Sequence, residues 1–222
     1  MKIYVTGDVH GLDCLERLIE FNSRHKELSK KDYVIVLGDL LGTGEEYKKI
    51  IDTINKLNFT VLFIDGDCEN YDYLSSLEER EFNLGKANYL SDNLIHLKRG
   101  EIYLFDKIKI FTFGGADFLT KNYDMENGNI PYKERIPSLN DVKYALSNLE
   151  KNNGTVDFIL THESPSSAFI YTEDVKVSFT TKLLDKIEEK VKYKWWYFGH
   201  YHHDISLKNN KTIVYEKFIR IN

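Results

Sequence analysis

Five short motifs of the sequence place aspartate or histidine directly after an apolar run. They are Gly7-Asp8-Val9-His10, Gly38-Asp39, Gly66-Asp67-Cys68-Glu69, Thr161-His162-Glu163 and Gly199-His200-Tyr201-His202. In open α/β sheets, ligands gather outside the carboxyl ends of the strands. If the five runs are neighbouring strands, we expect the polar side chains that follow them to meet at one place: Asp8, His10, Asp39, Asp67, His162, His200 and His202.

A cluster that contains several carboxylates needs positive charge. Buried carboxylates repel one another, and two divalent cations would remove that repulsion. Carboxylate and imidazole ligands suit Mn²⁺, Fe, Zn²⁺ or Ni²⁺. Side chains two residues apart on an extended chain point the same way. We therefore expect the pair in Asp8-Val9-His10, and the pair in His200-Tyr201-His202, each to grip one site.

Each motif alone is weak evidence. A Gly-Asp after a strand is usually only a turn, and a lone His-x-His is more often incidental than a metal site. The prediction depends on all five motifs occurring at strand ends. The other histidines have simpler interpretations: His25 as a solvated helix residue, His96 as a structural strand residue, and His203 as a side chain that points away from the site.

The elements that must position these motifs alternate between strand and helix in the first part of the chain, which favours βαβ units. Close-set strands between Leu94 and Phe113, and a turn at Lys208-Asn209-Asn210-Lys211, favour antiparallel additions. Ser138 and Asp141 form a capping box that predicts the start of a helix. The predicted strands are Ile3–Thr6, Tyr33–Leu37, Thr60–Ile64, Leu94–Leu97, Ile102–Phe105, Ile108–Phe113, Phe158–Leu160, Trp195–Phe198 and Thr212–Tyr215, and the predicted helices are Leu12–Leu28, Glu45–Leu57, Ser138–Leu149 and Thr180–Val191.

The composition is that of a globular chain with a slightly acidic balance. The net charge of -5 lacks the basic excess of a general nucleic-acid binder. No apolar stretch reaches the roughly 18 residues that predict a membrane span. The two cysteines, Cys14 and Cys68, form no disulfide framework, so we expect a reducing, cytoplasmic location. We expect one domain over residues 1–222.

The order of the motifs resembles that of the calcineurin-like metallophosphoesterase superfamily: Asp-x-His, Gly-Asp, Gly-Asn-His/Cys-Asp/Glu, His, and Gly-His-x-His. The resemblance runs from Asp8 to His202 and is nearest to small single-domain phosphoesterases of bacteria and phages. It implies a four-layer αββα sandwich of two mixed β-sheets flanked by helices. It also implies two metal ions that share Asp39, one held by Asp8, His10 and His202 and the other by Asp67, His162 and His200.

Three departures from the family pattern bear on function. Asp67 stands where the family has Asn and adds a negative charge. Cys68 stands where the family often has a catalytic His. The segment after Asp39 reads Leu40-Leu41-Gly42 and lacks the phosphate-binding Arg of the protein phosphatases, which argues against a phosphoprotein substrate.

The resulting expectation is hydrolysis of a phosphate ester by a hydroxide shared between two divalent cations. Asp39, Asp67 and Cys68 are the candidate catalytic residues. A thiol is a poor general acid near neutral pH, so a nucleotide or an activated diester is favoured over a simple alkyl monoester. Lys121 and Arg135, in or beside a polar segment at Asp117–Pro137, are candidates to bind the phosphate of a small phosphorylated substrate.

Alternatives remain at this point. Lys121 and Arg135 are equally well interpreted as solvated charges. The chain could be a metal-bearing binding or scaffold module with little turnover, because the Asp67 and Cys68 departures leave room for lost activity. A nuclease is disfavoured by the acidic net charge. The segment Asp117–Pro137 is predicted to lie over the metal cleft, since a loop of that length in a compact domain is usually functional.

Overall fold

The computed structural model describes residues 1–12, 14–42, 44–117, 133–169 and 177–222. The strands in these residues are β1 Ile3–Thr6, β2 Tyr33–Val36, β3 Thr60–Phe63, β4 Glu79–Phe82, β5 Gly85–Ser91, β6 Leu94–Leu97, β7 Ile102–Phe105, β8 Ile108–Phe113, β9 Phe158–Thr161, β10 Trp195–Phe198, β11 Ile205–Leu207, β12 Lys211–Ile213 and β13 Ile219–Arg220. The helices are α1 Glu16–Arg24, α2 Tyr47–Ile54, α3 Tyr71–Ser76, α4 Leu139–Lys151 and α5 Phe179–Glu188, with 3₁₀ turns at Lys133–Arg135 and Ser166–Phe169.

Two mixed sheets contain the described strands. The first has the order β13-β1-β2-β3-β6-β5-β4, and the second has the order β11-β12-β10-β9-β8-β7. Strands β1, β2, β3 and β6 are parallel, as are β8, β9, β10 and β12. The carboxyl ends of the parallel strands in each sheet therefore lie at one edge, where the candidate ligands follow.

Three apolar clusters separate four layers. One lies between the first sheet and α1, α2 and α3, and includes Leu18, Ile50 and Phe63. A second lies between the two sheets, and a third lies between the second sheet and α4 and α5. This is the expected four-layer αββα sandwich. The central parallel strands are buried on both faces, as their continuous Val, Ile and Leu runs predict.

The edge of the first sheet differs from the prediction. The hairpin β4–β5 and the short helix α3 were not predicted. Strand β4 reads Glu-Arg-Glu-Phe and is largely exposed, so it lacks the apolar pattern by which strands are recognised. Its turn has positive φ at Asn83 (47°) and Leu84 (72°), a two-residue conformation usually signalled by Asn-Gly.

The strands between Leu94 and Phe113 divide between the sheets, so the prediction that all of them are antiparallel additions is wrong. Strand β6 is parallel to β3 in the first sheet, whereas β7 and β8 pair antiparallel in the second. The antiparallel hairpin β11–β12 agrees with the prediction from its turn, in which Asn209 and Asn210 both have positive φ.

Helix α4 begins with the predicted capping box. The Ser138 side chain accepts from the Asp141 amide, and the Asp141 carboxylate accepts from the Ser138 amide. Within the described ranges, each helix is too short or too polar to cross a lipid bilayer.

Candidate metal centre

The predicted ligands come from the facing edges of both sheets. Asp8, Asp39 and Asp67 follow β1, β2 and β3, and His162 and His200 follow β9 and β10. The edges approach so closely that a Cβ atom at Gly38 would lie 2.2 Å from Nδ1 of His162. Gly38 also has φ +111°, a conformation that side chains rarely adopt. The close approach of the two sheets therefore requires glycine at position 38, directly before Asp39.

The first group contains Asp8, His10 and His202. Nε2 of His10 lies 2.8 Å from Nε2 of His202, and His202 Nε2 lies 3.1 Å from Oδ2 of Asp8. Tyr215 stacks against His202 with ring centroids 4.8 Å apart. Asp8 is buried, whereas His202 is about half exposed. Three potential ligand atoms therefore converge at an accessible place.

The second group contains Asp67, His162 and His200. Oδ1 of Asp67 lies 2.9 Å from Nε2 of His162 and 3.2 Å from Nδ1 of His200. On the far side of the His162 ring, Nδ1 lies 2.7 Å from the carbonyl oxygen of Leu37. Because that carbonyl can only accept, His162 carries its proton on Nδ1 when neutral, and its Nε2 lone pair points at the group.

Asp39 lies between the two groups. Its Oδ2 is 3.7 Å from Nε2 of His162 and 3.9 Å from Nδ1 of His10. Asp8, Asp39 and His162 also form a third cluster in which one potential ligand atom from each lies within 4.8 Å of the others. Oδ1 of Asp39 accepts a hydrogen bond of 2.8 Å from the Cys68 amide. One oxygen is thus held by the chain while the other faces both groups.

The backbone at four of the candidate ligands is left-handed. The φ angles are 49° at His10, 56° at Asp39, 67° at His200 and 51° at His202. The extended-chain explanation for the one-residue gaps is therefore wrong. His200 and His202 belong to different groups, so this pair does not grip a single site. Non-glycine residues in this conformation are uncommon and cluster at functional sites.

The electrostatics of the centre show competing charges. Burial and the neighbouring carboxylates of Asp67 and Asp8 raise the pKa of Asp39 to about 7. Burial alone would also raise the pKa of Asp67, but hydrogen bonds from His162 and His200 hold it well below its usual range. Burial would lower the pKa of His162, yet the surrounding carboxylates, Asp39 foremost, raise it well above its usual value.

These observations fit divalent cations. A buried carboxylate that resists ionisation beside two others indicates an excess of negative ligand charge, which cations would balance. The donors are imidazole nitrogens and carboxylate oxygens, the set that suits Mn²⁺, Fe, Zn²⁺ or Ni²⁺. All seven predicted ligands belong to the three clusters described above.

Cys68 lies beside the centre but is poorly suited to donate a proton. Burial, together with Asp39, Asp67 and Glu69, raises the pKa of its thiol far above the usual range. Its amide, by contrast, holds Asp39. The geometry thus supports a role for the Cys68 backbone, which positions Asp39, and not for the thiol.

The two predicted substrate-binding residues differ in outcome. Arg135 is only 7% exposed, so its interpretation as a solvated charge is wrong. Its positive charge lies near enough to Cys68 to oppose the rise in the thiol pKa. Lys121 lies outside the described residues, as does most of the segment Asp117–Pro137. Of that segment, Asp117 accepts hydrogen bonds of 2.9 Å from the amides of Phe179 and Thr180 at the start of α5.

Three residues with clear roles in the centre were missed. The Glu69 carboxylate accepts hydrogen bonds of 2.9 Å from the amides of Leu40 and Leu41, and so holds the loop after Asp39. Glu163 and Tyr201 contact each other behind His200. All three are adjacent in sequence to a predicted ligand or to Cys68, which was the one available signal.

Comparisons with known proteins bear on the family and the fold. A family model described as calcineurin-like phosphoesterase matches residues 1–204. No curated protein matches the chain significantly. A similar solved structure is that of a phosphopantetheinyl hydrolase from Mycobacterium tuberculosis, with a TM-score of 0.52 and 13% identity, over 97% of this chain and 90% of that one. At that identity the likeness shows the fold.

Proposed function

Because this chain belongs to the calcineurin-like phosphoesterase family, we propose that it hydrolyses a phosphate ester at a centre of two divalent cations. Family membership supports metal-dependent phosphoester hydrolysis in general. The observation that carries the finer proposal is the position of Asp39, whose Oδ2 lies 3.7 Å from His162 and 3.9 Å from His10, members of different groups.

The seven side chains would divide into two sets that share Asp39. Asp8, His10 and His202 form the first, and Asp67, His162 and His200 form the second. When bound, divalent cations polarise phosphoryl oxygens and lower the pKa of water at the site. This set of imidazole and carboxylate donors suits Mn²⁺, Fe, Zn²⁺ and Ni²⁺ alike.

The chain's own contribution is orientation. The Leu37 carbonyl directs the Nε2 lone pair of His162, and the Cys68 amide holds one oxygen of Asp39. The His200 amide donates to Oδ1 of Asp8 at 3.0 Å. Each of these contacts links one strand end to another, so the ligands are held in place by the backbone of both sheets. Such preorganisation is what a hydrolytic centre requires.

The proposed substrate is a small phosphodiester or nucleotide-type compound. The Cys68 thiol is too weak an acid to protonate an alkoxide leaving group. A substrate whose leaving group needs little protonation therefore fits best. The buried Arg135, near Cys68, is the candidate to contact substrate phosphate, and Lys121 is proposed for the same role from its sequence position alone.

The test begins with metal-free protein. Hydrolysis of bis-nitrophenyl phosphate, nitrophenyl phosphate, a dinucleoside polyphosphate and a phosphopantetheinyl diester is measured with each of Mn²⁺, Fe²⁺, Zn²⁺ and Ni²⁺. The last substrate is included because the similar solved structure is that of a phosphopantetheinyl hydrolase. We expect metal-dependent turnover of diesters or nucleotides that exceeds turnover of the monoester.

Asp39→Asn should lower this turnover by roughly 100-fold or more, since it removes charge from both groups. Glu78→Gln is the matched control, because the Glu78 carboxylate is 81% exposed and lies in the edge hairpin region. If the protein binds two cations but turns over none of these substrates, the result would favour a metal-bearing binding module over an enzyme.

A further inference from the structure

A buried glutamate lies behind one of the candidate ligands. Glu163 follows His162 in sequence and is only 1% exposed. Its Oε1 accepts hydrogen bonds from the Ser164 amide at 2.9 Å and from the Tyr201 hydroxyl. The Tyr201 hydroxyl also lies 2.9 Å from the Ser164 hydroxyl. The Ser164 amide and the Tyr201 hydroxyl therefore satisfy the hydrogen-bonding capacity of Oε1.

The second oxygen of Glu163 faces His200. Oε2 lies 3.8 Å from Nε2 of His200, while Nδ1 on the other side of that ring lies 3.2 Å from Oδ1 of Asp67. The ring thus has a candidate metal group on one side and a buried carboxylate on the other. A distance of 3.8 Å is too long for a hydrogen bond, so the carboxylate acts here through its charge.

The neighbouring ligand has a related arrangement, in which the acceptor behind the ring is close enough to form a hydrogen bond. His162 turns Nε2 toward Asp67 and has the Leu37 carbonyl at 2.7 Å from Nδ1. Histidines that ligate metals usually present their other N–H to a carbonyl or a carboxylate, which fixes the tautomer and makes the ligand nitrogen more basic. For His200, Glu163 is the group in that position.

We propose that Glu163, anchored by Tyr201, is a positioning residue that holds the proton of His200 on Nε2 and directs its Nδ1 lone pair toward the Asp67–His162–His200 group. The inference rests on the proposed function, because it assigns a cation to that group. It also explains the residue between His200 and His202: the Tyr201 ring packs on Phe169, with centroids 4.9 Å apart, and its hydroxyl secures Glu163.

The Glu163–Tyr201 pair has a matched control elsewhere in the protein. Glu188 on α5 accepts a hydrogen bond of 2.7 Å from the Tyr193 hydroxyl, so it repeats the Glu–Tyr contact away from the metal centre. Its other partners are Ser167 and Lys211. Glu188→Gln and Tyr193→Phe should therefore change stability without changing cation affinity.

The first measurement is calorimetric titration of metal-free protein with Zn²⁺ and with Mn²⁺. We expect two binding steps in the unaltered protein. Glu163→Gln should weaken one of them about 10- to 100-fold, and Tyr201→Phe should weaken the same step by a smaller factor. Asp67→Asn identifies that step, because it alters the same group. Glu163→Asp should recover part of the lost affinity, since it restores the charge.

The second measurement follows the imidazole nitrogens by long-range ¹H–¹⁵N NMR. His200 should show the Nε2–H tautomer in the unaltered protein and in Tyr193→Phe, and a mixture of tautomers in Glu163→Gln. This readout needs no turnover. The spectra are recorded with Zn²⁺ bound, because in metal-free protein Nδ1 of His200 donates to the Asp67 carboxylate. Should Glu163→Gln fold poorly, Tyr201→Phe, which removes one hydroxyl, supplies the same comparison.

The proposal would be overturned if Glu163→Gln and Tyr201→Phe bound cations in both steps as tightly as the unaltered protein and kept its His200 tautomer. Failure of the proposed function has a different signature, namely two normal binding steps in the unaltered protein with no hydrolysis of any phosphate ester. The cation titration and the ring NMR therefore judge the positioning role independently of activity.

Discussion

The backbone amide of Cys68 donates a hydrogen bond of 2.8 Å to Oδ1 of Asp39. This contact joins the loop after β3 to the loop after β2. The Glu69 carboxylate makes the reciprocal connection by accepting from the amides of Leu40 and Leu41. Two consecutive residues of one loop therefore hold the central candidate ligand of the other, without either side chain belonging to a metal group.

Gly66 leaves the space in which Asp39 lies. A Cβ atom at this position would stand 2.0 Å from Oδ1 of Asp39 and 2.6 Å from its amide nitrogen. Gly66→Ala should therefore displace Asp39 and lower kcat/KM by roughly 100-fold, the effect of misplacing a reacting group by about 1 Å. Metal content should fall as well. Gly44→Ala is the control, since no heavy atom lies within 4 Å of its Cβ position. Equal losses in both variants would mean that Gly66 acts only through general stability.

Cys68 allows its backbone and side chain to be tested separately. Cys68→Ala keeps the amide that holds Asp39 and removes a thiol whose pKa is raised far above the usual range. Loss of a general acid lowers the rate by roughly 100-fold or more. We expect the steady-state rate of Cys68→Ala to fall by much less than that. A larger loss with normal metal content would assign the thiol a direct chemical role.

Asp67 carries the charge that the family's Asn lacks. Its Oδ1 faces both His162 and His200. Asp67→Asn should retain the fold and weaken one cation site by about tenfold, equivalent to about 1.4 kcal/mol. The acidic limb of the pH–rate profile should move to lower pH, because a more positive centre lowers the pKa of water at the site. Unchanged titrations and an unchanged pH profile would exclude Asp67 from the ligands.

An ion pair between a buried lysine and a partly buried glutamate gives a prediction about stability. Lys211, whose side chain is 1% exposed, lies 2.7 Å from Oε1 of Glu188. Lys211→Met should reduce the free energy of unfolding by about 1–3 kcal/mol, because it removes the cation from a partly buried carboxylate that, within the described residues, keeps hydrogen bonds only from Ser167 and Tyr193. The double variant Lys211→Met with Glu188→Leu should recover most of the loss. Urea unfolding at neutral pH measures both, and a double variant as unstable as the single one would contradict the explanation.

The same pair predicts a pH dependence. Burial would raise the pKa of Glu188, but hydrogen bonds from Lys211, Ser167 and Tyr193 lower it. A carboxyl group with a lower pKa in the folded state stabilises the fold above its unfolded pKa, and that contribution is lost as the pH falls through the folded pKa. Between about pH 5 and pH 3, stability should therefore fall less steeply in Glu188→Gln than in the unaltered protein. If the free energy of unfolding fell equally steeply with pH in both proteins, this explanation would be contradicted.

The sequence by itself determined which side chains could bind metal and on which elements they lie. The apolar runs before Asp8, Asp39 and His162 are buried strands, and apolar periodicity and residue type are local properties that can be read without a structure. The motif order likewise implied the four-layer sandwich. The exposed strand β4 escaped detection, because an edge strand rich in charge has no apolar alternation.

The family resemblance implied how the ligands are grouped, but only the tertiary structure showed what separates them. His200 and His202 share one motif yet lie in different groups, because left-handed backbone at both residues turns their side chains apart. Neither the burial of Arg135 nor the contact between Glu163 and Tyr201 can be read from spacing, since each depends on which segments the two sheets bring together. Local pattern is set by a few neighbouring residues, whereas the geometry of this centre arises from contacts between residues up to about 200 positions apart, such as the 2.8 Å approach of His10 to His202.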